Sequence, residues 1–223
     1  MQKASDFLTM DERSAVEAAV MAAEKKTSVE IVPVIAASSG RYDRAEDLAG
    51  LWLGAVLMVA AWIIWPLPEV EPGDWSATFP VQYGIWLAAL LFGFVGGAVI
   101  SARTAWLRRL FTPKRELREE VQRRAREAFF DQRVHHTGGA TGVLVFVSLF
   151  ERTVCILADA SVMKVLPAGE IERLCAALTA KMKSAPAEGL VETITSLGET
   201  LSAPLPRAED DVDELANAVV LID

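Results

Sequence analysis

Residues 142–159 read GVLVFVSLFERTVCILAD. Val143 to Val147 is an unbroken apolar run, mostly β-branched and too short for a helix, which is the pattern of a strand covered on both faces. Glu151 and Arg152 form a short polar break before TVCILAD, so the two runs predict an antiparallel β-hairpin. The preceding HHTGGATG (135–142) is a loop by its glycines. Further upstream, SVEIVPVIAAS (28–38) is a third β-branched run, and Pro33, which has no backbone N–H to donate, places it towards a sheet edge.

Helical spacing surrounds these strands. Thr9 and Glu12 stand three apart, the spacing of a capping box, ahead of apolar positions Ala15, Val16, Ala19, Val20 and Ala23. From Tyr42 a helix runs through Ala45 and Leu48 straight into an apolar run, with no glycine or proline cluster to separate them. After Pro113 a charged helix presents Leu117, Val121, Ala125 and Ala128, with Glu119/Arg123 and Glu120/Arg124 as pairs four residues apart. Ile171, Leu174, Cys175, Leu178 and Met182 mark a further helix, and Leu190, Ile194, Leu197 and Leu201 another. The tail from Arg207 carries Glu209, Asp210, Asp211, Asp213 and Glu214 before NAVVLID, and reads as a flexible arm or a short docked helix. This order predicts an α/β fold with a three-stranded mixed sheet covered by helices.

Two uncharged runs interrupt that domain, residues 48–65 and 81–102. At about 1.5 Å per residue they reach about 27 and 33 Å, matching a hydrocarbon core of about 30 Å. All six tryptophans fall in or beside them, and Trp52, Trp65, Trp75 and Trp106 are read as interface anchors. The connecting loop, 66–79, has three acids and no Lys or Arg, whereas Arg41 and Arg44 precede the first run and Arg103, Arg108, Arg109, Lys114, Arg115 and Arg118 follow the second. That bias predicts a two-pass protein of the cytoplasmic (inner) membrane with both termini and the folded domain in the cytoplasm. The start of the chain is polar, so the first spanning helix is the expected targeting signal. Neither run holds an ionisable residue of the kind that transport requires, so the pair is read as an anchor. Gly93 and Gly97 permit close helix contact, with Gly54 and Ala55 as expected partners.

The domains expected are therefore 1–47 with 103–206, the hairpin 48–102, and the tail 207–223. A net charge of −8 excludes nucleic acid as a main partner, while the local basic stretch Arg103 to Arg126 suits anionic lipid headgroups beside the bilayer. Cys155 and Cys175 lack metal-ligand spacing and are read as core residues rather than a disulfide.

Four segments together resemble the TPM domain family: Leu8-Thr9-x-x-Glu12-Arg13, Thr27-x-x-Glu30-Ile31-Val32-Pro33-Val34-Ile35, Ala125-x-x-x-Phe129, and the run Gly142–Asp159. The chain is most similar to bacterial membrane members with a helical hairpin inserted between the first and central strands. The resemblance implies an αβα sandwich. For some members it also implies a weak acid phosphatase activity with Ca2+ or another divalent ion, such as Mg2+, held by acids near the strand ends; other members are accessory proteins. Where enzymatic members read K-D-N-G before the central strand, this chain has Gly138-Gly139-Ala140-Thr141-Gly142, without a carboxylate or amide.

Asp159 remains as a candidate metal ligand, with Asp43 and Asp47 as acids that could join it, although an Asp at a strand end is commonly a helix cap. His135 and His136 are adjacent and point apart on any regular element, and neither Ser148 nor Ser161 sits in a nucleophile elbow. No catalytic residue is assigned. The reading favoured is a non-catalytic accessory module binding an unidentified membrane or cytoplasmic protein, and the alternative is a weak divalent-ion-dependent acid phosphatase.

Overall fold

The structure is a computed structural model that describes residues 3–67, 72–73, 80–137, 139–207 and 215–223. Among these the chain forms a mixed α/β protein of eight α-helices and one four-stranded sheet. It divides into two compact units, residues 41–116 and, built from both sides of that segment, residues 2–40 with 117–223.

The second unit holds the sheet. Strands β1 (Ile31–Ala36), β2 (Val143–Ser148), β3 (Thr153–Ala158) and β4 (Val220–Ile222) lie in the order β3-β2-β1-β4. β1 is parallel to both β2 and β4, and β2 and β3 are the antiparallel hairpin. Every residue of β1 and β2 is buried, because each strand has a helical layer on both faces. Side chains alternate accordingly. Ile31, Ile35, Val143, Val145 and Val147 pack with Val16 and Val20 of α1 (Met10–Glu24), Leu174 and Leu178 of α7 (Glu170–Lys181), and Leu190, Ile194, Leu197 and Leu201 of α8 (Pro186–Ser202). Val32, Val34, Leu144 and Phe146 face Val121, Ala125 and Ala128 of α5 (Lys114–Asp131). The small residues of α5 let its axis approach the sheet. Each fully buried Leu, Ile or Phe on these faces contributes about 1.5–3 kcal/mol of transfer energy.

Thr9 caps α1 as the sequence predicts, its side chain accepting from Glu12 N–H while the Glu12 carboxylate accepts from Thr9 N–H at 2.8 Å. Three other expectations change. The sheet has a fourth strand, because the tail ends in neither a free arm nor a helix: Val220–Ile222 pairs with β1, and the Ala37 N–H donates to the Ile222 carbonyl at 2.8 Å. β1 is therefore interior despite Pro33. The Glu30 and Ala36 carbonyls accept from Val143 and Leu149, so even-numbered residues bond towards β2 and odd-numbered ones towards β4. β4 begins only opposite Val34, so the N–H that Pro33 lacks would have found no strand partner. On α5, finally, Arg123 lies between Glu120 and Glu127 and pairs with both, while Arg124 pairs with Glu127 at 3.0 Å.

In the first unit, α2 (Asp43–Ile64) runs unbroken through the first apolar run and packs against α3 (Pro80–Arg103). Both are long and apolar enough to cross a membrane. Their contact is glycine on glycine. A Cβ on Gly93 would lie 2.6 Å from the Gly54 Cα, and one on Gly97 would lie 2.8 Å from the Gly50 Cα and the Ala49 carbonyl oxygen. Two G-x-x-x-G spacings on antiparallel helices thus interlock, with Ala49 and Gly50 in the place expected of Ala55. The outward side chains are large and apolar, with Leu51, Ile63, Leu91 and Val95 exposed and Phe92 79% exposed. A short helix absent from the sequence reading, α4 (Ala105–Phe111), follows α3 and is tied to α2 by Arg108–Glu46 at 3.5 Å.

The second unit carries both faces of its own core. Replacing residues 41–116 by a Gly/Ser linker is expected to leave a protein that unfolds in one cooperative urea transition by circular dichroism. A broad, non-cooperative loss of signal would show that the sheet depends on the inserted unit.

Candidate functional site

Two ends of the sheet hold polar side chains, and they are built differently. At the amino ends of β1 and β2 lies Asp159, which follows β3 directly and is the N-cap of α6 (Ala160–Val165). Its carboxylate accepts from the Ala160 N–H at 2.6 Å, and its own N–H donates to the Gly142 carbonyl at 2.9 Å. The neighbouring loop is closed on itself: the Thr141 N–H donates to Thr137 Oγ1 at 2.9 Å, and the Ser161 hydroxyl donates to the Gly139 carbonyl at 2.8 Å. Gly142 is obligatory, since a Cβ there would sit 2.0 Å from the Val134 carbonyl oxygen. Gly138 lies outside the described residues.

Asp43 and Asp47 belong to the other unit, on the first turns of α2. Asp43 is exposed and pairs with Arg41 at 3.4 Å, an arrangement of small energetic weight, and Asp47 is exposed. Among the described residues no three His, Cys, Asp or Glu side chains are grouped as a metal site. The His135 ring lies 4.7 Å from that of Phe130 and 6.1 Å from that of His136, an aromatic surface cluster at the end of α5.

At the carboxyl ends of β1 and β2 is a buried polar network that the sequence reading passed over. Glu151, 4% exposed, accepts from the Ser39 N–H at 2.9 Å with one oxygen and from the Ser148 hydroxyl with the other. Ser39 Oγ lies 2.7 Å from Ser148 Oγ; with the Ser148 proton on Glu151, Ser39 is the donor of that bond. Ser38 bonds the Gly40 carbonyl at 3.0 Å beside it. The network fastens the loop after β1 to the β2–β3 turn, where Arg152 adopts a left-handed φ of 52°. Its signal was present as Ser148-x-x-Glu151, a serine closing an all-apolar strand with an acid three residues on, but Ser39 is remote in sequence.

The residues read as interface anchors are placed as follows. Trp65 caps the end of α2, and its carbonyl accepts from Trp86 Nε1 at 3.2 Å, with Tyr83 edge-on to Trp86 at 5.7 Å. Near the opposite end of the helices, Trp52, Leu107 and Phe111 line an apolar groove of about 290 Å3. Trp106 and Leu110 project outward from α4, and Arg103, Arg108 and Arg109 lie at or just after the end of α3. Trp75 lies outside the described residues, as do the tail acids from Glu209 to Glu214. Cys155 and Cys175 are free and half-buried; burial pushes the Cys155 thiol up to about 11 and raises Cys175 as well.

No protein-family model and no curated protein matches the chain. Among solved structures it is similar to the NMR structure of the BA42 protein from the psychrophilic bacterium Bizionia argentinensis, at 20% identity over 99% of each chain with a TM-score of 0.56. The likeness is one of fold.

Removing the network's acceptor strands its buried donors, so Glu151→Ala is expected to cost on the order of 2–3 kcal/mol in equilibrium unfolding. Asp159→Ala, which removes only a cap, should cost about 1 kcal/mol, and Asp159→Asn less. Equal costs at the two sites would contradict this assignment. Both thiols are expected to resist iodoacetamide at pH 8 until denaturant is added, as followed by mass spectrometry.

Proposed function

We propose that this chain is a two-pass, TPM-like protein of the cytoplasmic membrane, whose sheet-bearing unit is a non-catalytic accessory module that binds a protein partner on the cytoplasmic side. The membrane part of the reading is supported by the two apolar helices, which present large outward side chains that water would not tolerate over so wide an area. The sidedness is supported by the arginines that flank the pair, and Arg103, Arg108 and Arg109 are the residues proposed to meet anionic headgroups. The TPM assignment rests on the order of the four sequence segments and on the three-layer arrangement about a sheet buried on both faces.

The observation that carries the accessory reading is the use to which the candidate chemical groups are put. Asp159 caps α6, and Ser148 and Glu151 satisfy one another beneath the β2–β3 turn. Groups so committed hold a fold together more readily than they hold a reacting substrate. A hydrolase of the alternative kind would need Asp159 to leave its cap and gather further oxygen ligands around Ca2+ or Mg2+.

Phosphate release from an aryl phosphate separates the two. The purified full chain, with and without Ca2+ or Mg2+, is expected to release no more phosphate than Asp159→Asn does. Ion-dependent turnover abolished by that substitution would replace the accessory reading with the phosphatase.

A further inference from the structure

Beside the buried network, and wholly within the sheet-bearing unit, is a half-open cavity of about 490 Å3. Its walls are apolar: Phe7, Leu149, Val154 and Met182, each packed against the main core. Two cations stand in its lining, Arg152 from the β2–β3 turn and Lys183 from just beyond the end of α7. Both are exposed, and neither forms an ion pair among the described residues, although the chain as a whole is acidic. The adjacent acid does not serve them in the way its place in sequence suggests, because the Glu151 carboxylate is occupied by the Ser39 N–H and the Ser148 hydroxyl. Their size, apolar walls and few polar groups are the usual marks of a small-molecule site.

We infer that this cavity binds a small amphipathic monoanion, an apolar chain or ring bearing one carboxylate. The apolar walls take the chain. The guanidinium of Arg152 offers a planar fork matched to a carboxylate, and Lys183 adds a second positive charge. The hydroxyls in the lining do not compete for the role of donor: Thr153 Oγ1 donates to the Glu151 carbonyl at 3.1 Å and Thr179 Oγ1 to the Cys175 carbonyl at 2.6 Å. The C-terminal turn of α7 borders the cavity through Thr179 and Met182, and the partial negative charge of a helix C-terminus opposes a dianionic phosphate ester more than a monoanion. The site is independent of the accessory reading and of the membrane assignment.

The test uses the full chain in lipid bilayer discs with 13C-methyl methionine, titrated with 4-phenylbutyrate. Met182 lies in the cavity wall, and Met58, on α2, reports partition of the probe into the bilayer. A saturable shift of the Met182 methyl is expected while Met58 moves only in proportion to added probe. The double variant Arg152→Gln/Lys183→Gln is expected to weaken binding at least about tenfold, with an unchanged circular dichroism spectrum and urea transition as the check on folding. 4-Phenylbutanol should bind more weakly than the acid by a similar factor, and 4-phenylbutyl phosphate should not bind more tightly than it. An unmoved Met182, equal binding of acid and alcohol, or an unaffected double variant would overturn the site. Tighter binding of the phosphate ester would overturn the carboxylate assignment.

Discussion

The parallel pairing of β1 with β2 is the constraint on which the rest of the molecule depends. A parallel pair cannot be closed by a tight turn; it needs a crossover of a dozen residues or more. Here that crossover contains α2, α3, α4 and α5, so the apolar hairpin occupies a connection that the sheet required in any case. Only α5 is needed to cover the face it crosses, through Val121, Ala125 and Ala128. Because the entropy of closing a loop grows only slowly with its length, extending this connection by two long helices burdens the sheet little.

The two units solve opposite packing problems. In the sheet-bearing unit, Val side chains from α1 and bulky Leu and Ile side chains from α7 and α8 fill the space over strands whose backbone bonds are satisfied sideways. In the hairpin, backbone bonds are satisfied along each helix, and the axes approach because Gly50, Gly54, Gly93 and Gly97 have no side chains to keep them apart. Leu51, Ile63, Leu91, Phe92 and Val95 then point away from the contact, the reverse of the arrangement in the sheet-bearing unit. The close approach of the two backbones brings many atoms into dispersion contact there, where around the sheet that contact is made by side chains.

Most of the fold was legible because its elements carry strong periodic signals. Val143 to Val147 and Ile31 to Ile35 were strands by composition, and the apolar positions of α1, α7 and α8 stood at helical spacing. The misreadings have physical causes. Val220–Ile222 is too short to show a period, and only the open side of β1 makes it a strand. Pro33 looked like an edge marker because its missing donor was legible and the late start of β4 was not. α4 was hidden by the basic residues after α3. At the candidate sites, the capping role of Asp159 followed from its position, whereas the Ser39–Ser148–Glu151 network joins residues from two strand ends, and the cavity beside it draws Phe7, Arg152 and Met182 from three distant segments. Local pattern carries no information about such meetings.

The strand order β3-β2-β1-β4 also has a meaning in time. Synthesis runs from the amino end, so β1 is made before either of the strands that flank it. Its apolar residues must wait while both hairpin helices, then α5, leave the ribosome, and one side of it stays open until β4 follows everything else. During that interval β1 is a bare strand able to pair with another chain. Pro33, which has no N–H, and the Glu24 carboxylate, which accepts the Ile31 N–H at 3.0 Å, leave few open donors on that side for a foreign strand to find. What reads in the finished molecule as an imperfect ladder is, for the nascent chain, protection against mispairing.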